Sequence, residues 1–132
     1  GVGKTHLATG ILRGILNKGI PGLFCDVNET LTNLQSTFND KTSIMAILEP
    51  ILETPVLLLD EIGAARVTDW TQSVIAQIIN HRYNENLFTV ATTNYSDDGN
   101  ETLTDRIGAR TRSRLHQMMK SITLYGHDYR SQ

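Results

Sequence analysis

Lys4 and Thr5 follow two glycines in the stretch GVGKT, residues 1–5. Each residue type there suits phosphate. Glycines let backbone N–H groups curl around phosphate oxygens, and a lysine brings positive charge to them. A hydroxyl ligates Mg2+, and a helix that follows points its positive end at the anion. In this chain those roles fall to Gly1, Gly3, Lys4 and Thr5. The full pattern, G-x-x-x-x-G-K-[ST], asks for one more glycine, ahead of residue 1. The stretch alone therefore reads equally well as a glycine-rich helix entry.

A second stretch shifts that balance. In VLLLDEIG an apolar run ends in Asp60 and Glu61. Two adjacent carboxylates at the end of a buried strand are costly unless a cation or hydrogen-bond donors await them. Asp60 is suited to hold Mg2+ through water, and Glu61 to polarise an attacking water. The segment between GKT and this strand has room for one strand and two helices, the spacing of a phosphate-binding-loop domain. The two stretches together point to a nucleotide site. In TVATTN, Asn94 either orients the lytic water against a γ-phosphate or simply forms the turn before YSDD.

The fourth stretch, DRIGARTRSRL, puts Arg106, Arg110 and Arg114 on one face if it is helical, with no paired carboxylates for a salt-bridge ladder. Such a face suits phosphate, either the γ-phosphate held by a neighbouring subunit or a nucleic-acid backbone. A solvated basic face is the plain alternative. In HDYR, Arg130 is placed to reach the same nucleotide within the subunit.

The elements that must position these groups follow from periodicity. Residues 4–18 predict an amphipathic helix with Leu7, Ile11, Ile15 and Leu16 inward, stopped by Gly19 and Pro21-Gly22. Residues 22–27 read as a buried strand. Residues 29–40 read as a helix with Leu31, Leu34 and Phe38 on one face, and 43–52 repeat that pattern up to Pro50. The run at 55–63 predicts a central parallel strand buried on both faces. A helix over 69–86 has Trp70, Val74, Ile75, Ile78 and Ile79 inward, and a strand follows over 87–94. After a polar loop at 95–102 comes an arginine-bearing helix over 103–119, then a short strand over 121–126. Strands separated by helices give a parallel α/β sheet.

Composition bounds the rest. A 132-residue chain with 39% apolar residues is one domain's worth with a buried core. Its net charge of −2 excludes holding nucleic acid by bulk charge, though not by a local patch. Cationic side chains do gather over 105–130, while 23–62 is mainly acidic. The lone Cys25 excludes an internal disulfide or a cysteine-ligated metal, and reads as a structural residue in a reduced, cytoplasmic setting. No run is long and apolar enough to span a membrane.

Taken in order, GVGKTHLA, LLLDEIGA, INHRYNENLFTVATTNY, LTDRIGARTRSRL and YGHDYR resemble the AAA+ ATPases, and more closely their DnaC/IstB-type branch, the ATP-dependent loaders of replicative helicase. The likeness runs along essentially the whole chain. It implies a three-layer α/β/α fold with a parallel sheet of order 5-1-4-3-2. The first strand of that sheet is not in this chain, so 1–132 reads as one partial domain entered inside its phosphate loop. Bound nucleotide would be held by Gly1, Val2, Gly3, Lys4, Thr5, His6 and, as a sensor 2 arginine, Arg130. Thr5 and Asp60 would hold Mg2+. Glu61 completes Walker B, Asn94 matches sensor 1, Arg114 matches the arginine finger that enters a neighbour's site, and Arg110 is its companion one turn earlier.

By the same resemblance the cofactors are ATP and Mg2+. The partners are a hexameric replicative DNA helicase, single-stranded DNA and further copies of the chain in a ring or spiral. Two other functions fit the same core: an IstB-type transposition helper, and an adaptor that binds ATP with negligible hydrolysis. Without its central strand the isolated chain is expected to expose sheet edges, fold poorly and bind ATP weakly.

Overall fold

The computed structural model describes residues 3–37, 40–95 and 102–118. Three strands, β1 (Gly22–Asp26), β2 (Val56–Asp60) and β3 (Phe88–Ala91), form a parallel sheet in that order. This is the 2-3-4 part of the expected order. The stretch expected to form the last strand, 121–126, lies outside the described residues, as does Phe38. Helices α1 (Lys4–Asn17), α2 (Val27–Ser36), α3 (Lys41–Glu53), α4 (Asp69–Asn84), α5 (Leu103–Ile107) and α6 (Ala109–Met118) connect and cover the strands.

Every residue of β2 is buried, as its unbroken apolar run demands. Alternation sends Val56 and Leu58 to one face, where Ala8 and Leu12 of α1 meet them, with Ile15 and Val90 at the margin. Leu57 and Leu59 join the larger core on the other face with Cys25, Leu31, Leu34, Leu48, Ile75 and Ile79. The sheet is thus sandwiched between helices.

Two inward faces differ from expectation. On α1 the buried positions are Ala8 and Leu12, while Leu7, Ile11 and Leu16 are exposed. The strand side chains beneath α1 are bulky, so small Ala8 lets the helix sit close, and the larger neighbours splay outward. Trp70 is 36% exposed because it stands in the first turn of α4, ahead of the core-facing residues from Val74 onward. Pro50 lies inside α3, on its exposed side, and the helix runs on to Glu53.

Four helices begin on a side chain that accepts from their first-turn N–H groups: Asp26 for α2, Asp40 for α3, Thr68 for α4 and Thr102 for α5. The Ser43 hydroxyl, together with the N–H groups of Ser43 and Thr42, holds the Asp40 carboxyl below its usual range. The predicted helix over 103–119 is two helices. Gly108, at φ 94°, ends α5 and lets the chain restart as α6. Arg106 therefore leaves the arginine face, which keeps Arg110 and Arg114.

The sequence reading missed Arg82, which is fully buried. Its Nε donates to Thr89 Oγ1 (2.8 Å), Nη2 to the Phe88 carbonyl (2.8 Å), and Nη1 to the carbonyls of Ile51 (3.1 Å), Leu52 (3.3 Å) and Thr54 (2.7 Å). Ile51 and Leu52 lie in the last turn of α3 and Thr54 is its C-cap, where carbonyls lack intrahelical donors. One guanidinium thus caps α3 and anchors the start of β3. Burial pulls its pKa down to about 10, so it stays charged at neutral pH. Arg82→Met is expected to cost about 3–5 kcal/mol, because several buried carbonyls lose their donor at once. Lysine, a point charge without the fork, should restore little of it. Denaturant midpoints of the two variants check this.

Candidate nucleotide site at the strand ends

The C-terminal ends of β2 and β3 meet the N-terminus of α1. Gly3, at φ 103°, precedes α1 and offers no side-chain cap, and the helix's first turn has no acidic residue. Among the described residues no side chain caps its first-turn N–H groups, unlike those of the four capped helices, so this turn has the character of an anion-binding helix start. Thr5 in that turn donates from Oγ1 to Asp60 Oδ1 at 2.9 Å. Lys4 Nζ donates to Asn94 Oδ1 at 3.1 Å. Four predicted site residues from three separate segments are therefore in direct contact. His6 lies exposed in the same turn. Gly1, Val2 and Arg130 lie outside the described residues.

Asp60 is buried at the end of β2. Its register neighbour on β1, Asp26, faces the other way chemically, its carboxylate accepting from the Glu29 N–H at the start of α2. Glu61 follows at φ 59°, a left-handed conformation that costs a side-chain-bearing residue about 1–2 kcal/mol. The backbone bonds Ile62 N to Thr92 O (2.7 Å) and Thr92 N to Leu59 O (2.9 Å) bind this turn to the chain beyond β3.

The next loop is fastened by Arg106. Its Nε donates to the Gly63 carbonyl (2.7 Å), its Nη2 to the Ala65 carbonyl (2.8 Å), and its guanidinium stacks over Tyr95, 4.9 Å from the ring centroid. Gly63, at φ 92°, is required there: a Cβ would meet Arg106, Leu103 and Tyr95 at 3.3 Å each. This role for Arg106 escaped the sequence reading, although Gly108 two residues on signals that the helix breaks.

Arg110 is exposed on α6, and Arg114 lies over the ring of Tyr83 on α4, 5.3 Å from its centroid. Among the described residues neither touches Lys4, Thr5, Asp60 or Asn94. Cys25 is buried, and burial raises its thiol pKa, which suits a structural residue. A cleft of about 460 Å³ opens along β1, lined by that strand, α2 and α3 and by none of Lys4, Thr5, Asp60 or Asn94. Its charged residues, Asp26 and Glu29, are acidic and repel a polyphosphate.

A family model described as IstB-like ATP binding protein matches residues 1–132, the whole chain. The chain belongs to the IstB-like ATP-binding family. Among its relatives, the replicative helicase loader DnaI of Bacillus subtilis is 33% identical over 74% of this chain and 32% of its own length. The replicative helicase loader DnaC of Escherichia coli is 29% identical over 87% of this chain and 46% of its own. The IstB-like chain thus spans less than half the length of either relative. The crystal structure of a DnaC helicase loader matches with a TM-score of 0.79 and 34% identity, over 91% of this chain and 71% of that one. A DNA replication initiation factor shares the fold, with a TM-score of 0.72 at 20% identity over 89% of this chain and 35% of that one. Among the described residues no helix is long and apolar enough to cross a membrane.

The left-handed backbone at Glu61 makes a separable prediction. Glu61→Gly and Glu61→Ala lose the same side-chain interactions, but only glycine also loses the strain, so the glycine variant should be the more stable of the two by up to about 1 kcal/mol. Thermal unfolding without nucleotide checks it; an alanine variant more stable than the glycine one by about 1 kcal/mol or more contradicts the backbone geometry.

Proposed function

We propose that the protein is an AAA+ ATPase that couples its nucleotide state to loading of a replicative helicase on single-stranded DNA. The observation that carries the ATPase part is the Thr5–Asp60 hydrogen bond, which joins the phosphate-loop hydroxyl to the strand-end carboxylate. The loading part rests on the relatives, two of which are named replicative helicase loaders. The described residues are read as belonging to one AAA+ domain.

The donor set at the strand ends fits Mg2+. Thr5 and Asp60 offer two hard oxygens, and among the described residues no group of three or more His, Cys, Asp or Glu competes as a metal cage. Mg2+ favours such sites, taking one or two protein oxygens and filling its shell with phosphate and water. Thr5 and Asp60 would hold it, and it would supply positive charge against the phosphate oxygens. Lys4 pairs with the same phosphates, and to do so it releases Asn94, an exchange that costs about 1 kcal/mol at an exposed hydrogen bond. The freed Asn94 amide then orients the attacking water. Glu61 takes a proton from that water as its oxygen bonds to the γ-phosphorus. The bond from phosphorus to the bridging oxygen breaks, leaving ADP and phosphate.

Arg114 and Arg110 project from α6, outside their own subunit's cluster, which suits entry into a neighbour's ATP in a ring or spiral. Gly1, Val2, Gly3 and His6 complete the phosphate loop, with Arg130 as the sensor on the same subunit.

Glu61→Gln is expected to lower single-turnover ATP hydrolysis about 10²–10⁴-fold while ATP binding persists. An unchanged rate would favour an ATP-state adaptor. The partner is tested by pulldown of the protein, expressed from its full reading frame, against helicase and transposase from the same source. ATP-dependent retention of helicase alone is the expected result; retention of transposase alone favours a transposition helper.

A further inference from the structure

The residue that touches both Walker B carboxylate positions is Thr92, just beyond β3. Its hydroxyl is buried between them. Oγ1 donates to Asp60 Oδ1 at 2.7 Å and accepts from the Glu61 backbone N–H at 2.8 Å. A hydroxyl has one proton to give, so committing it to the carboxylate leaves a lone pair for the amide. With its two backbone bonds, to Leu59 O and from Ile62 N, Thr92 holds every residue of the turn 59–62. Asp60 Oδ1 then receives two hydroxyl protons, from Thr92 and from Thr5. Among the described residues Oδ2 takes no hydrogen bond.

We propose that Thr92 is a positioning residue of the ATPase site: it fixes the Asp60 carboxylate so that Oδ2 is the oxygen left for the Mg2+ shell, and it pins the left-handed backbone from which Glu61 acts. The inference rests on the ATPase reading above. Hydrogen-bonding partners of metal ligands typically govern affinity or activity by about 10–100-fold when removed. A valine at 92 keeps the shape and loses the hydroxyl; a serine keeps the hydroxyl and loses a methyl.

The test follows a fluorescent, non-hydrolysable ATP analogue binding to the wild type, Thr92→Val and Thr92→Ser, in EDTA and along a Mg2+ series. Thermal midpoints, kcat and KM are measured beside it. Thr92→Val is expected to bind the analogue in EDTA within about twofold of wild type, to need about 10-fold more Mg2+ for half-maximal tightening, and to lose about 10–100-fold in kcat. Thr92→Ser is expected to match wild type in Mg2+ demand and kcat. A wild-type Mg2+ curve and kcat in Thr92→Val overturns the proposal. So does equal loss of affinity with and without Mg2+, which marks a merely structural role, or a Thr92→Ser variant as impaired as the valine. Should the valine variant not fold, Thr92→Cys, a weak donor of similar size, is expected to shift the Mg2+ curve in the same direction, and an unshifted curve there overturns the proposal equally. Absence of Mg2+-dependent binding in the wild type removes the ATPase reading itself, and this inference with it; a normal wild type with indifferent variants removes only the inference.

Discussion

A carboxylate buried at the end of a fully buried strand is the constraint on which the rest is organised. Asp60 closes β2, among the described residues the one strand buried along its whole length, and an unmet charge there would destabilise the whole sheet. Two hydroxyls meet it, one from the first turn of α1 and one from just beyond β3. Those two hydrogen bonds bring the first turn of α1 and the strand that leads to Asn94 to the same place. The fold's need to satisfy one acid and the site's need to gather its parts are met by the same contacts.

A second buried charge shows the opposite arrangement. Arg82 lies toward the far end of β3, at its first residues, and its hydrogen bonds go mostly to carbonyl oxygens. It stabilises the junction of α3, α4 and β3 through hydrogen bonds to carbonyl oxygens and one hydroxyl. The molecule thus keeps its structural charge and its chemical charge at opposite ends of the same parallel sheet. This is the polarity expected of α/β sheets, in which ligands gather outside the carboxyl ends of the strands.

Most of the architecture was legible in the sequence where burial imposes a period. The unbroken run 56–59 announced a central strand, and Val74, Ile75, Ile78 and Ile79 announced the buried face of α4. The meeting of Lys4 with Asn94 and of Thr5 with Asp60 was legible because the proposed chemistry needs particular residue types at strand and helix ends. What periodicity cannot express was missed. The stripe of α1 turned toward Ala8 and Leu12, because fit to the side chains beneath matters more than the count of large apolar residues. Gly108 interrupted a helix that arginine spacing alone would have continued. Thr92 and Arg82 act through several hydrogen bonds to distant backbone, and a single polar letter in a strand or helix gives no sign of that. Thr92 could have been noticed two residues before Asn94, a separation that keeps side chains on a common side of an extended chain.

Helix α1 serves two masters. Its first turn presents Lys4 and Thr5, while Ala8 and Leu12, one and two turns later, cover the Val56–Leu58 face of the sheet. No separate helix among the described residues packs those side chains. In a genetic screen, lesions along α1 would therefore fall into a single phenotypic class whether they hit the phosphate-facing turn or the apolar stripe. A map of loss-of-binding alleles would overstate the extent of the nucleotide pocket on this helix. Alleles at Asn94, on a segment with no share in that face, would trace its true boundary.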